Sequence, residues 1–277
     1  MSEAERRFGT VVLTGATSGI GEATAHRLAS RADHLVLLGP EPEPEVAAVL
    51  RGIRRSGPAE VRYVSADFTR LAEVVAAAQA VRELAPQIDV LINDAGVPGA
   101  PTRVVTIDGF ERTLQVNALA PALLTRLLVP SLAPHARIVN VGSSAHHVER
   151  FDFADIDLAH GYSPVAAYAR AKLAMVTWSS LLAEEEAATG VTVVALCPGL
   201  NDTRLSAAMM GRIGGPPSAG AARVLHAITA DLPSGSYLED DRVVSPSPEV
   251  RDPENREHLA QLYWTRLAPY ARTGARS

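Results

Sequence analysis

Apolar residues fall into two alternating patterns along most of this chain. Short runs rich in valine, isoleucine and leucine occupy residues 10–14, 35–38, 61–64, 89–92, 137–141 and 191–196. Several of these runs are apolar at every position, which is typical of strands buried on both faces of a parallel sheet. Helical spacing of apolar residues predicts helices over 19–30, 44–55, 70–85, 109–132 and 164–189, with a last helix over 253–270.

This alternation of strands and helices predicts right-handed βαβ units. We therefore predict one α/β domain over residues 1–277, with a Rossmann-like, doubly wound parallel sheet of about seven strands and helices on both faces. Residues 1–8 are predicted to form a flexible tail. The acidic, proline-rich EPEPE at 41–45 is predicted to be a loop, and Gly214-Gly215-Pro216-Pro217 separates two short helical patterns.

Composition and charge mainly exclude some classes of protein and partner. The chain is 47% hydrophobic and 21% charged, which is ordinary for a globular protein. A net charge of −5 does not favour nucleic acid or an anionic membrane as the partner. Cys197 is the only cysteine, so an intrachain disulfide is excluded. The N-terminal MSEAERRF lacks the apolar segment of a signal peptide, and no long apolar run predicts a membrane span, so we expect a cytoplasmic protein.

A glycine-rich loop follows the first predicted strand and opens the first predicted helix. Its sequence is Thr14-Gly-Ala-Thr-Ser-Gly-Ile-Gly21. A nucleotide pyrophosphate needs close backbone approach and a helix N-terminus directed at it, and glycines at 15, 19 and 21 permit both. A tight turn without a ligand is the alternative, but the position between strand and helix favours a dinucleotide site.

The Gly-x-x-x-Gly-x-Gly spacing resembles that of the short-chain dehydrogenase/reductase family, and the similarity extends over most of the chain. Asp67 follows the third strand, where the family places an acid against the adenine. The family's Asn-Asn-Ala-Gly motif is represented by Asn93-Asp94-Ala95-Gly96, with Asp94 as a departure. Further matches to the family's motifs are Asn117, Ser143, Tyr168-x-x-x-Lys172, and Pro198-Gly199 followed by Thr203.

One branch of the family shares a longer stretch with this chain. The run Asn-Val-Gly-Ser-Ser-Ala-His at 140–146 resembles the Asn-Val-Ser-Ser-x-Ala-His of the retinol-dehydrogenase-like branch. Alignment on the asparagine and on Ala-His puts Gly142 in the first serine position and Ser143 in the catalytic one. Ser144 is then only a neighbour.

Tyr168 and Lys172 lie four residues apart and therefore share a helical face. A nearby cation favours phenolate and lowers a tyrosine pKa, so Tyr168 can act as a general base for alcohol oxidation or a general acid for carbonyl reduction. The resemblance implies that Ser143 holds the substrate oxygen and that Asn117 binds a proton-relaying water. It also implies that Lys172 hydrogen-bonds the nicotinamide ribose. A chance surface pair is the alternative for Tyr168 and Lys172.

The resemblance implies two further sets of site residues. Cofactor contacts are predicted for Gly15, Thr17, Ser18, Gly19, Ile20, Gly21, Asp67, Phe68, Asn93, Ala95, Gly96, Tyr168, Lys172, Pro198, Gly199 and Thr203. Substrate contacts are predicted for Ser143, Ala145, His146, Tyr168 and Met209, with residues 200–220 capping the substrate. His146 and His147 have no carboxylate or cysteine partner at a zinc spacing, so we predict no metal.

The choice between NAD and NADP depends on the end of the second strand. Gly39 stands where NAD-binding relatives carry an acid, and Pro40 stands where NADP-binding relatives carry an arginine. The acidic run Glu41, Glu43 and Glu45 would repel a 2′-phosphate. We therefore favour NAD over NADP.

These features predict an oxidoreductase that interconverts an alcohol and a ketone or aldehyde on a fairly apolar small molecule by hydride transfer with a nicotinamide cofactor. The alternative is a non-redox protein on the same scaffold, which would use Tyr168 for cyclisation or elimination or would serve a binding role. The helices predicted at 109–132 and 164–189 pair between subunits in the family, so we expect a homodimer or homotetramer.

Overall fold

A twisted sheet forms the centre of the computed structural model, which describes residues 7–271. Its strand order is β3-β2-β1-β4-β5-β6-β7-β8. The strands are β1 (Phe8–Thr14), β2 (Ala32–Gly39), β3 (Glu60–Ser65), β4 (Ile88–Asn93), β5 (Leu132–Val141), β6 (Thr192–Leu196), β7 (Tyr237–Glu239) and β8 (Arg242–Val244). The first seven are parallel and β8 is antiparallel to β7, which confirms the predicted Rossmann-like sheet and adds one strand to it.

Helices cover both faces of the sheet. They are α1 (Gly19–Leu28), α2 (Glu43–Arg54), α3 (Leu71–Leu84), α4 (Arg112–Leu114), α5 (Ala120–Leu128), α6 (Pro164–Glu185), α7 (Arg204–Met210), α8 (Pro217–Thr229), α9 (Pro248–Arg251) and α10 (Pro253–Ala271). Two large apolar clusters lie between the helices and the sheet, one on each face. No helix among residues 7–271 is both long and apolar enough to cross a membrane.

Two predicted boundaries at the start of the chain need correction. The flexible tail was placed at 1–8, but Phe8 is buried as the first residue of β1, and residues 1–6 lie outside the described part. The predicted loop at 41–45 ends early, because α2 begins at Glu43. Pro44 fits the first turn, where its missing N–H would have no helical partner, and the acids suit the positive end of the helix dipole.

The long helix predicted at 109–132 is interrupted. A π-helical turn over Gln115–Leu119 separates α4 from α5, and a 3₁₀ turn over Val129–Ser131 follows α5. The π turn carries Asn117, which is fully buried. Single π turns within helices occur frequently at functional sites.

The last helix packs on the face that was predicted to pair subunits. Helix α10 contacts α5 and α6. Its buried residues Leu259, Tyr263 and Leu267 join the same apolar cluster as Trp178 of α6, and the rings of Trp178 and Tyr263 lie 6.4 Å apart. The surface of α5 and α6 assigned to a second subunit is thus covered in part by the chain itself.

The stability of this contact can be measured. Leu259 is fully buried, so the Leu259→Ala variant is expected to lower the free energy of unfolding by about 2–5 kcal/mol through lost burial and a residual cavity. Urea denaturation measures the change. Gln261→Ala, at an exposed position of the same helix, is the control and should stay within about 0.5 kcal/mol of the parent. Equal stability of the two variants would show that α10 does not pack as described.

Candidate active site

A cavity of about 780 Å³ opens at the carboxyl ends of the strands. It lies at the ends of the neighbouring strands β1 and β4, where the order in which strands are added to the sheet reverses its direction. Ligands of doubly wound sheets bind at such switch points. The loops after β1, β2, β3, β4, β5 and β6 all contribute lining residues. Motifs that are far apart in the sequence therefore meet in one cleft.

The glycine loop forms one wall of this cavity. Gly15 has φ +71°, and a Cβ there would lie 2.8 Å from the Cα of Ala95. A Cβ on Gly21 would lie 2.2 Å from the carbonyl oxygen of Gly15. The loop can therefore fold tightly under the N-terminus of α1 only without side chains at these positions. This arrangement fits a dinucleotide pyrophosphate, since backbone N–H groups and the helix dipole both favour an anion.

Most of the predicted cofactor residues line the cavity. They are Gly15, Thr17, Ser18, Gly19, Ile20, Asp67, Phe68, Ala95, Gly96, Tyr168, Lys172, Pro198, Gly199 and Thr203. Thr203 also caps α7, because its hydroxyl accepts from the backbone N–H of Ser206 at 3.2 Å. The residues fit a nicotinamide dinucleotide, which would extend from Asp67 to the loop at Pro198.

Lys172 and Tyr168 both face the cavity from α6. The ammonium of Lys172 donates to the carbonyl oxygen of Val141 at 2.7 Å and lies 5.8 Å from the centroid of the Tyr168 ring. Burial lowers the pKa of Lys172 to about 8, and the neighbouring Asp94 opposes this shift. Lys172 therefore lies beside the Tyr168 ring, and its ammonium group is hydrogen-bonded to the end of β5.

The expected fall in the tyrosine pKa is not found in the protein alone. Burial raises the pKa of Tyr168 to about 12, and the nearby Ser143 hydroxyl only partly offsets this shift. Desolvation of the phenolate dominates over the attraction expected from the nearby cation. Tyr168 is thus held as a protonated phenol at neutral pH, which is the state that a proton donor requires.

The two adjacent serines have different surroundings. Ser143 lies near Tyr168 and lowers the pKa of its phenol, and the Ser143 hydroxyl accepts from the backbone N–H of Ala145 at 3.1 Å. Ser144 is more exposed, and its backbone N–H donates to the sulfur of Cys197 at 3.2 Å. A Cβ on Gly142 would lie 3.0 Å from a methyl group of Val176. The geometry therefore favours Ser143 as the partner of Tyr168 and leaves little room for a serine at 142.

Asp94, the departure from the family motif, stands among the candidate catalytic groups. It lines the cavity, its carboxylate lies beside the backbone of Gly21, and it faces Lys172. Burial raises the pKa of Asp94 to about 7, while Lys172 and the Gly21 amide oppose the shift. In the sequence, Asp94 is only a departure from the family motif, because nothing in the motif shows that its carboxyl group faces Lys172.

Four predicted site residues lie behind the cavity wall. Gly21 is buried under the loop. The side-chain amide of Asn93 donates to Asn140 at 2.8 Å and to Thr125 at 3.0 Å, so it joins β4 to β5 and α5 and does not line the cavity. The side chain of Asn117 bonds both backbone groups of Val97, at 2.8 and 2.9 Å. A relay water would therefore need a backbone group of Asn117.

His146, the fourth of these residues, is predicted to contact substrate but does not line the cavity. The side chain is fully buried, and the imidazole points away from the cavity toward Ser247. Its neighbours Ser143 and Ala145 do line the cavity, as predicted. The 3₁₀ turn over Ser144–His147 explains the difference, because it turns the histidine inward.

The predicted capping region contributes only in part. Residues of α7, including Met209, line the cavity together with Leu200. Helix α8, which begins at Pro217, packs against α1 instead. Residues 200–210 are therefore the part of 200–220 that can cover a substrate.

Glu41 occupies the end of the cavity at β2. Its carboxylate accepts from the Thr17 hydroxyl at 3.0 Å, and its carbonyl accepts from the Tyr63 hydroxyl at 2.7 Å. A Cβ on Gly39 would lie 2.6 Å from Thr17 and 2.8 Å from Tyr63, so an acid at that position would have to displace these side chains. Glu41, two residues after Gly39, places its carboxylate at the cavity instead.

A possible metal site appears among the described residues at His146, His147 and Glu239. Both ring nitrogens of His146 already have hydrogen-bond partners, namely the carbonyl of Ser143 at 2.7 Å and the backbone N–H of Ser247 at 3.1 Å. A metal would have to displace one of these bonds. We assign no metal to this group.

The fold and this cavity define a class of protein. A switch-point cleft with a glycine loop at one side and a serine, a tyrosine and a lysine at the other is the site of a nicotinamide-dependent oxidoreductase. The family model described as short chain dehydrogenase matches residues 9–211. The chain belongs to the short-chain dehydrogenase family, in its retinol-dehydrogenase-like branch.

Relatives with known names agree with this assignment. Polyprenol dehydrogenase of Mus musculus is 35% identical over 271 residues, covering 90% of this chain and 80% of that protein. Retinol dehydrogenase 13 of Mus musculus is 35% identical over 282 residues, covering 94% and 82%. These findings confirm an alcohol–carbonyl oxidoreductase and give no support to the non-redox alternative.

Solved structures show the same fold. An uncharacterized protein from Mycobacterium paratuberculosis has a TM-score of 0.80 and 30% identity, over 97% of each chain. A short chain dehydrogenase from Burkholderia cenocepacia in complex with NADP has a TM-score of 0.66 and 26% identity, over 84% of this chain and 95% of that one. The comparisons thus support a nicotinamide cofactor without deciding between NAD and NADP.

Proposed function

We propose that this enzyme interconverts an alcohol and a ketone or aldehyde on a fairly apolar organic molecule. The observation that carries this proposal is the apolar surface next to Ser143 and Tyr168. Val148, Val165, Leu200 and Met210 line the cavity and are nevertheless exposed to solvent. An apolar substrate would cover these side chains and gain free energy from their burial. The names of the retinol and polyprenol relatives are consistent with such a substrate.

The side chains can move a proton at one oxygen atom. In reduction, the Tyr168 hydroxyl donates its proton to the carbonyl oxygen, and in oxidation the phenolate takes a proton from the alcohol. Ser143 donates a hydrogen bond to the same oxygen and stabilises its developing charge. A bound nicotinamide cofactor supplies or accepts the hydride at the carbon. Lys172 provides positive charge beside Tyr168 and favours the phenolate during oxidation.

A spectrophotometric assay tests this proposal. The purified protein is mixed with each reduced or oxidised cofactor and a panel of alcohols and carbonyl compounds of increasing apolar length. Absorbance of the reduced nicotinamide ring then reports hydride transfer. Turnover that improves with the apolar length of the substrate supports the proposal, whereas turnover restricted to small polar compounds contradicts it.

NAD is the proposed cofactor because of the charges near Glu41. Among residues 7–271, the basic side chains that line the cavity are Lys172 and Arg204, and neither follows β2. Arg62 and His34 are paired with Glu60 instead. A carboxylate at Glu41 can accept from ribose hydroxyls and repels a 2′-phosphate.

Neutralising the Glu41 carboxylate should weaken the discrimination between NAD and NADP. We expect Glu41→Gln to reduce the preference for NAD over NADP by about fivefold, because removing one such repulsion is worth ~1 kcal/mol in water. Titration of both oxidised cofactors gives the dissociation constants. Glu45→Gln is the control, since Glu45 is exposed and outside the cavity. A tenfold preference of the parent protein for NADP would refute this assignment.

Subunit association and cellular location stay predictions. If subunits associate, they use surface that α10 leaves free, because this helix packs on α5 and α6. Light scattering of the purified protein measures the oligomeric state. Fractionation of the producing cells tests the cytoplasmic location.

A further inference from the structure

His146 joins the loop that carries Ser143 to a distant part of the chain. The imidazole is fully buried. Its Nδ1 lies 2.7 Å from the carbonyl oxygen of Ser143, and its Nε2 lies 3.1 Å from the backbone nitrogen of Ser247. Ser247 precedes α9 and is also buried. One ring therefore connects the end of β5 to the segment between β8 and α9.

These two bonds determine the protonation state of the ring. A carbonyl oxygen can only accept, so Nδ1 must carry the hydrogen. A backbone N–H can only donate, so Nε2 must be unprotonated. Burial lowers the pKa of His146, although the bond to Ser143 opposes the shift. The ring is therefore neutral, in the Nδ1–H tautomer.

We propose that His146 is a positioning residue, whose neutral imidazole holds the carbonyl of Ser143 against Ser247 and so directs the Ser143 hydroxyl toward Tyr168. This inference rests on the proposed function, since it requires Ser143 to hold the reacting oxygen. The backbone N–H of His146 also donates to the Ser143 carbonyl, at 3.2 Å. Two donors from one residue therefore fix the same oxygen.

Protonation of Nε2 would break the arrangement, because two N–H groups would then face each other. The titratable groups around the ring are His147, Tyr237 and Glu239. The His147 ring lies 3.9 Å from the His146 ring, and the Tyr237 ring lies 4.8 Å away. Glu239 accepts from the Tyr237 hydroxyl at 2.8 Å and favours a charged histidine. Burial outweighs this attraction, so we expect activity to fall at acidic pH as His146 becomes charged.

A pair of variants at Ser247 tests the contact with His146. The backbone angles there are φ −46° and ψ 143°, which a proline can adopt. Ser247→Pro removes the N–H that donates to His146 and puts the proline Cδ in the place of that hydrogen, so the imidazole must shift as well. Ser247→Ala keeps it, and both variants lose the hydroxyl that caps α9. The comparison therefore separates the lost N–H from the lost cap.

We expect Ser247→Pro to lower kcat for carbonyl reduction roughly threefold to tenfold below Ser247→Ala, the range for one hydrogen bond, with KM for the cofactor unchanged. The acidic limb of the pH profile should shift to higher pH in Ser247→Pro only. Equal kcat values and equal pH profiles in the two variants would overturn the proposal.

Nitrogen NMR of the parent protein with isotope-labelled histidine provides a test that needs no substrate. The His146 resonances should show the Nδ1–H tautomer at neutral pH and should titrate below those of exposed histidines. An Nε2–H tautomer, or a charged ring at neutral pH, would refute the positioning role even if Ser247→Pro failed to fold. If the parent reduces no carbonyl compound but the tautomer is as stated, the proposed function fails and the described hydrogen bonds stand.

Discussion

The Tyr168→Phe variant is expected to lose roughly 10²–10⁴-fold in kcat, the usual contribution of a positioned general acid or base. The phenol lines the cavity together with Ser143, and burial raises its pKa to about 12. It therefore keeps its proton at neutral pH and is ready to donate in reduction. Steady-state kinetics with saturating cofactor measures the loss, and cofactor titration should give a dissociation constant close to that of the parent.

The same pKa sets the expected dependence on pH. Alcohol oxidation needs the phenolate, so its rate should rise with pH, whereas reduction should vary little near neutral pH. Tyr162→Phe is the matched control, because the Tyr162 hydroxyl donates to the carbonyl of Ala100 at 2.9 Å and lies outside the cavity lining. Near-normal kcat in Tyr168→Phe would rule out Tyr168 as the proton donor.

The Ser143→Ala variant is expected to lose roughly 10²–10³-fold in kcat, which corresponds to about 2.7–4 kcal/mol for one donor to a developing oxyanion. Ser143 contacts Tyr168, so both hydroxyls can reach the same substrate oxygen. Single-turnover measurements of hydride transfer separate this loss from changes in binding. The loss should appear in the chemical step.

Ser144→Ala is the matched control for this prediction, since it removes the same atom from the next residue. Ser144 contacts Cys197 through its backbone N–H, which the substitution leaves in place. We expect it to retain activity within a few-fold of the parent. If instead Ser144→Ala is the more damaged variant, the assignment of the catalytic serine is displaced by one residue.

The parts of this fold that the sequence predicts are those with strong local signals. Buried strands, such as the one at 35–38, are predicted by their continuous apolar runs. The glycine loop is predicted by glycines at positions where a side chain would not fit. Tyr168 and Lys172 are predictable because helical spacing alone places them on one face. In contrast, β7 and β8 have three residues each, too few for a periodic pattern.

What the sequence cannot predict depends on contacts between distant segments. The buried ring of His146 accepts a hydrogen bond from the backbone N–H of Ser247, 101 residues later. Asp94 and Lys172 meet only because β4 and α6 face one cleft, and the resulting desolvation decides the pKa values of both. Glu41 reaches the cavity because Thr17 and Tyr63 bind it there. None of these partners is close in sequence, so no local sequence pattern predicts the contacts between them.

The docking of α10 on α5 and α6 has a consequence for the protein at low concentration. Contacts within one chain contribute a free energy that does not change on dilution, whereas an interface between subunits is lost below its dissociation constant. The apolar surface of these two helices is in part covered by a helix of the same molecule. This side of the core should therefore stay intact at nanomolar concentrations, even if a subunit interface elsewhere on the molecule has dissociated.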